Sequence, residues 1–441
     1  MGSQKDCLKV VLFPWLAHGH ISPFLELAKT LISHKNLRCY IISTPANLTS
    51  IRTKIPDERI QLVELHLPTS PDLPPHHHTT NGLPTHLHTP LRKALKTAKP
   101  EFSNLLTALK PDLVIHDILQ PWAGLVASQH NLPSVTFFTA SAAPLSYFIH
   151  LGTHPGDDFP FPAIQLDSFQ LSMVLGYIES YKDEDNEEAS RGDDTPIMLV
   201  NTSREMEGKY MDYLSEMMSK TIVPVGALVR DPSLDDGDGF EAIMEWLGSK
   251  DERSTVLVSF GTEYYLKKEE VEEMASGLEM SKVNFIWVLR FPEGEEREAL
   301  PEGFVERVGE RGRVVEKWAP QARILRHSSV GGFVSHCGWS SLRESIDCGV
   351  PIVAVPMHLD QPVNAKLVVE LGVGVEVRRD EVGKLKRDEI SRVIGDVVVG
   401  RNGDELRRRV GERRESIRLR SREEAEDVAR VLTEICAVKE H

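Results

Sequence analysis

Short apolar runs alternate with amphipathic stretches along most of this chain. Leu8 to Pro14 (LKVVLFP) has strand length, and PFLELAKTLISH after it spaces its apolar residues as a helix does. Ser22 and Pro23 supply the N-cap and first-turn residue of that helix, which leaves Trp15 to His20 as a loop. Further strands are predicted over Arg38 to Thr44, Ile60 to Leu67, Asp112 to Asp117, Ser134 to Thr139, Ile197 to Thr202 and Ile222 to Gly226. Helices are predicted over Leu91 to Leu109, Pro121 to His130, Ser141 to Leu151 and Glu207 to Ser219. The pattern then breaks at Asp231 to Gly239 (DPSLDDGDG), an exposed linker by composition. It restarts with strands at Thr255 to Gly261, Asn284 to Arg290, Gly331 to Ser335, Pro351 to Pro356 and Gly372 to Val377. Helices are expected at Lys267 to Ser281 and Arg387 to Val399. Such alternation predicts an α/β chain with parallel sheets covered on both faces. In sheets of this kind ligands bind outside the carboxyl ends of the strands.

Two segments carry no regular pattern. Pro68 to Pro90 is rich in Pro and His and reads as a loop. Its run His76-His77-His78 is a poor metal site, because adjacent side chains of an extended chain point to opposite sides. Asp157 to Pro196 is expected to be irregular and ends in the acidic stretch KDEDNEEASRGDD.

Composition narrows the class. At 441 residues the chain is too long for one compact core and suits two α/β domains. A formal net charge of −15 disfavours nucleic acid or an anionic membrane as a partner. The five cysteines are widely spaced and include no CxxC pair, which predicts free thiols in a reducing compartment and no zinc site. No basic-then-apolar leader and no bilayer-length apolar run is present, so a cytoplasmic protein is expected.

The candidate chemistry lies at strand ends. His20 follows the first strand and Asp117 ends the fourth, so the topology carries both to one rim. A His beside an Asp there is a general base with an orienting partner. Without the stretch described next, the residues favour a loop histidine and a solvated or helix-capping aspartate. The stretch Trp318 to Gln361 is more specific. A strand runs into His336-Cys337-Gly338-Trp339, and Ser340-Ser341 open a helix whose unpaired N–H groups suit a diphosphate. Trp318 offers a flat face to a base, while Glu344, Asp360 and Gln361 are placed to bond sugar hydroxyls. Gly261-Thr262 after a strand form a further phosphate turn.

This stretch resembles the signature box of the plant UDP-sugar-dependent glycosyltransferases of secondary metabolism. The resemblance covers nearly the whole chain and is strongest here and at FPWLAHGHISPF. It implies the GT-B fold, two Rossmann-like domains with parallel sheets facing across a cleft. Residues 1–227 would be the acceptor-binding domain, 228–250 a linker, 251–420 the UDP-sugar-binding domain and 421–441 a helix packed back on the first domain. By the same resemblance, Trp318, Ala319 and Gln321 match uracil and ribose contacts. His336, Trp339, Ser340, Ser341 and Glu344 match diphosphate and ribose contacts, with Ser22, Gly261 and Thr262 as further donor contacts. Asp360 and Gln361 match the contacts to the transferred sugar. The family usually has Asn where this chain has Ser340. His20 and Asp117 match the catalytic pair.

The implied reaction is an inverting, metal-independent transfer from a UDP-sugar, with glucose as the expected sugar because of Gln361. No other cofactor is expected. The segments FPWLAHGHISPF and TTNGLP are similar to those of the branch that extends sugar chains on existing glycosides. The expected partner is therefore a flavonoid or terpenoid glycoside, with Trp15, His78, Thr80 and Asn81 as acceptor-side candidates and a monomer as the working state. A glucosyltransferase of aglycones, a UDP-sugar epimerase and a non-catalytic UDP-sugar binder are the rival readings.

Overall fold

The computed structural model describes residues 7–34, 36–55, 57–71, 73–180, 195–229, 240–261, 264–291, 300–316 and 319–437. The acidic stretch, the linker 231–239, Thr262 and Trp318 lie outside the described residues. The chain divides into two compact units. The first draws on 1–142, 182–228 and 418–441, and the second on 143–181 and 229–417.

The first unit is built on a seven-stranded sheet in the order β3-β2-β1-β4-β5-β6-β7. Its strands are β1 (Leu8–Phe13), β2 (Leu37–Ser43), β3 (Ile60–Glu64), β4 (Leu113–Asp117), β5 (Ser134–Phe138), β6 (Ile197–Val200) and β7 (Thr221–Pro224). Every pair is parallel. Alternate residues of β1 enter different cores. Val10 and Leu12 pack with Phe24, Leu27 and Leu31 of the helix His18–Ile32, and Val11 and Phe13 pack with Leu91, Leu95, Phe102 and Trp122 on the other face. Burial on both faces is why the strand reads as an unbroken apolar run.

The second unit has a six-stranded parallel sheet in the order β10-β9-β8-β11-β12-β13. Its strands are β8 (Thr255–Ser259), β9 (Asn284–Val288), β10 (Gly312–Val315), β11 (Val330–Ser335), β12 (Ile352–Ala354) and β13 (Gly374–Glu376). Val256, Val258, Phe285 and Trp287 face the helices Lys268–Ser281 and Arg387–Val398, while Leu257, Ile286 and Phe333 face Trp246, Leu247, Ile324 and Leu325.

Several expectations need correction. The first helix starts at His18 with Ala17 as N-cap, so Pro23 lies inside it and Ser22 is not the cap. The Ala17 carbonyl accepts from both His20 and Ile21 N–H, which starts the helix early. His20 therefore stands in the first helical turn and not in a loop. The predicted helix over Leu91 to Leu109 is two helices, His88–Thr97 and Lys99–Leu109. Pro100 has no N–H to continue the ladder there. The stretch expected to be irregular holds the helix Ser168–Ser180. It belongs to the second unit, where the Phe169 ring covers Gly383 and the Gln170 amide donates to Glu376 at 2.5 Å. Residues 143–181 thus group with the second unit, unlike the 1–227 boundary. The last helix, Arg401–Ala437, contributes to both units, and its Val428, Leu432 and Cys436 enter the first unit's core.

Candidate functional site

Two constellations form, one in each unit. In the first unit, β1 pairs with β4 so that Phe13 lies opposite His116. The carboxyl ends of these strands are therefore adjacent, and the turn after β1 brings the first helical turn back over β4. His20 Nδ1 lies 2.7 Å from Asp117 Oδ2 across 97 positions of sequence. Asp117 is fully buried and accepts two more hydrogen bonds, from Trp15 N–H at 3.3 Å and Leu119 N–H at 3.0 Å. Three donors hold an otherwise costly buried carboxylate in place. His20 keeps 26% of its side chain exposed. With Nδ1–H turned to the carboxylate, Nε2 carries the ring's lone pair. Thr139, just beyond β5, places Oγ1 3.1 Å from the same Nδ1. Sequence reasoning missed Thr139, although its place after a parallel strand was the available signal. Neighbouring His116 is buried, with Nδ1 on the Asp117 carbonyl at 3.1 Å.

The acceptor-side candidates divide. Trp15 is half-buried and its N–H serves Asp117. Thr80 N–H bonds the Leu16 carbonyl at 3.0 Å, which ties the His-rich loop to the segment before His20. Asn81 is exposed, its N–H on Thr79 Oγ1 at 3.2 Å. His78 is only 5% exposed, and burial lowers its pKa. Its carbonyl accepts from Thr44 Oγ1 at 2.6 Å.

In the second unit, β11 pairs with β8 with Ser335 opposite Ser259. That register sets Gly261 against His336. A Cβ at Gly261 or Gly338 would lie 2.6 or 2.5 Å from His336 Nε2, so the ring fills a slot that only two glycines leave open. Burial, helped by nearby His358, pushes the His336 pKa down to about 4, and burial does the same to His358. Both are neutral at pH 7 and can donate without carrying a charge of their own. The helix Trp339–Cys348 begins at N-cap Gly338 with no side-chain cap and no acidic residue in its first turn. A helix start of that kind suits an anion.

Ser340 is exposed and Ser341 half-buried at that helix start. Gln321 Nε2 donates to Ser341 Oγ at 3.1 Å and to Glu344 Oε2 at 2.8 Å, so three candidates meet in one network. Ala319 is buried beside it and accepts from Gln321 N–H at 2.8 Å. Trp339 is buried, with the Arg343 guanidinium 5.9 Å over its ring, and offers no open face. Gln361 is buried; its Oε1 accepts from Met357 and His358 N–H, both at 3.0 Å. That leaves its NH₂ as the donor end. Asp360 is held by Asn364 at 2.9 Å, and Asn364 also bonds the carbonyl of Cys337, whose φ is +69°. Asn364 is a supporting residue that sequence reasoning missed. Ser22 lies half-buried on the His18 helix of the first unit.

A cavity of about 680 Å³ beside β13 contains none of the predicted donor contacts. Its Lys366 is matched by Glu376 at 2.8 Å and its Arg392 by Glu389 at 2.7 Å. Among the described residues no group of three His, Cys, Asp or Glu is placed to hold a metal ion, and no helix is long and apolar enough to cross a membrane.

The chain is similar to known proteins. Residues 220–401 match the family described as UDP-glucoronosyl and UDP-glucosyl transferase, and residues 6–229 match the family of glycosyltransferase N-terminal domains. The chain is 52% identical to a β-D-glucosyl crocetin β-1,6-glucosyltransferase of Gardenia jasminoides, over 96% of this chain and 98% of that one. It is 50% identical to UDP-glucosyltransferase 29 of Panax ginseng, over 100% and 99%. Among solved structures, UGT73P12 of Glycyrrhiza uralensis, complexed with glycyrrhetinic acid 3-O-monoglucuronide, superposes with a TM-score of 0.82 at 25% identity, covering 98% of this chain and 97% of that one.

Proposed function

The chain belongs to the UDP-glucuronosyl and UDP-glucosyl transferase family and is a UDP-glycosyltransferase with a UDP-sugar as co-substrate, and we propose that it adds glucose, with inversion, to a sugar hydroxyl of a small glycoside. The observation that carries the catalytic reading is the 2.7 Å bond between His20 and fully buried Asp117, with the imidazole still partly open. His20 Nε2 takes the proton of the acceptor hydroxyl. The oxygen attacks the anomeric carbon from the face opposite UDP, the C1–O bond to UDP breaks, and the pair of electrons leaves with the diphosphate. Asp117 stays ionised and stabilises the imidazolium.

The second unit's residues suit the departing group. The leading N–H groups of the Trp339 helix and the neutral His336 are donors where negative charge builds, and fixed donors of this kind need no reorganisation during reaction. The Gln321–Ser341–Glu344 network is read as the ribose contact, and the NH₂ of Gln361 with Asp360 as the contact to the transferred sugar. A glycoside acceptor is supported by the Gardenia jasminoides relative, whose name specifies a glucosyl crocetin, and by the glucuronide in the Glycyrrhiza uralensis structure. A flavonoid or terpenoid glycoside fits this reading. Five free cysteines support a reducing, cytoplasmic setting.

The test is incubation with UDP-glucose and a panel of aglycones and their glucosides, with products read by mass. The expected result is one hexose added to glucosides and none to aglycones. Hexose on aglycones alone overturns the chain-extending part and leaves the transferase.

A further inference from the structure

The turn after β5 is held more firmly than a connection requires. Thr139 is 6% exposed, and its Oγ1 sits 3.1 Å from His20 Nδ1. Its carbonyl accepts from Asn201 Nδ2 at 2.7 Å, and Asn201 N–H returns to the Phe138 carbonyl at 2.9 Å. Three residues on, Ala142 N–H donates to Glu207 Oε2 at 3.1 Å. Asn201 and Glu207 are both fully buried and come from one stretch after β6. Glu207 departs from helical geometry inside its own helix, with φ −136° and ψ 21°. Burying an amide and a carboxyl is costly unless they are bonded. Here both are committed to the two ends of a four-residue turn, and that turn carries Thr139.

The sheet order explains the meeting. β5 lies between β4 and β6, with Phe137 opposite Asp117 and Phe138 opposite Val200. The last residue of β4 and the first residues past β5 and β6 therefore stand in a row: Asp117, Thr139, Asn201. The His20 ring comes in from the helix above them and meets the first two through one nitrogen.

We propose that Thr139 is a positioning residue for His20, and that Asn201 and Glu207 hold it in reach. The inference rests on the reading of His20 as the general base. A second acceptor for the same N–H fixes the ring plane and therefore the direction of the Nε2 lone pair. When Nε2 takes the acceptor proton, Nδ1–H stays where it is. The new positive charge then meets the carboxylate on one side and the hydroxyl dipole on the other.

The test compares Thr139→Val, Thr139→Ser and Asn201→Ala with the native enzyme, reading kcat and KM for UDP-glucose and for the glycoside acceptor. Losing one neutral hydrogen bond to the developing imidazolium corresponds to about a 5–10-fold loss of rate. T139V is expected to lose kcat by that factor with both KM values within about twofold, and T139S to recover most of it. N201A is expected to show a smaller loss of the same kind. If T139V does not fold, Thr139→Ala carries the same expectation. A raised KM for UDP-glucose at native kcat would make Thr139 a donor contact and overturn the proposal, as would equal losses in T139V and T139S. His20→Ala separates the two levels. Near-normal transfer by H20A overturns the base assignment itself, whereas lost transfer in H20A beside native rates in T139V overturns the positioning role alone.

Discussion

The two units solve different chemical problems with the same sheet edge. In the first, the proposed site is a base, His20, beside a buried carboxyl group, Asp117, assembled from segments 97 positions apart. In the second, the proposed site has neutral histidines and the start of a helix with no side-chain cap, drawn mainly from β11, its helix and the turn after β12. The contrast follows from what each must handle. A base gains from a fixed carboxylate that will meet a new positive charge. A diphosphate brings its own negative charge, so the protein supplies dipoles and donors and keeps carboxylates out of the first helical turn. Burial is used oppositely in the two places. Around Asp117 three donors offset its cost, whereas at His336 burial itself keeps the ring uncharged.

Removing the base is the most severe way to test this division. H20A should cut transfer by about 10²–10⁴-fold, the usual contribution of general-base help, with UDP affinity in titration calorimetry unchanged. A matching loss of UDP affinity would erase the distinction between the sites.

Acid should act on the second unit next. The folded pKa of His336 and of His358 is about 4, against 6.5 for the unfolded side chain, so the unfolded chain binds more protons between those values. Stability is therefore complete above about pH 6.5 and falls as pH drops toward about 4, by up to about 3 kcal/mol for each histidine. His78 of the first unit shifts in the same direction, so thermal unfolding against pH is best compared with His358→Phe, which should flatten the slope. An unchanged slope would remove His358 from the account.

A methyl group in the histidine slot should come third. Gly338→Ala places a Cβ 2.5 Å from His336 Nε2, an overpacking that costs about 1–3 kcal/mol. UDP affinity should fall about tenfold while the His20–Asp117 pair stays intact. The smallest effect is expected for Gln321→Ala, which frees Ser341 and Glu344 and should weaken UDP binding about fivefold, near the value of one hydrogen bond.

Legibility differed between the sites for a physical reason. The strands of both sheets stood out as apolar runs because both faces of each sheet are covered. His336, Ser341, Glu344 and Gln361 could be read together because consecutive elements carry them. His20 and Asp117 were legible only through the rule that parallel strands end at one rim. The helix Ser168–Ser180 was not, because its docking partners, Gly383 and Glu376, are more than two hundred positions away. The burial of His78 and Trp339 was equally hidden, since a polar or aromatic letter does not say which way it faces.

The sequence by itself determined the α/β class and the two parallel sheets and pointed to the candidate donor box, because period, turn residues and a contiguous motif are local properties of a chain. Tertiary structure alone decided that Thr139, Asn201 and Glu207 stand behind His20, and that two glycines from different strand ends enclose His336. Those meetings depend on which strands are neighbours and in what register. Hydrogen bonds and close contacts across the sheet settle that order, and no segment carries it alone.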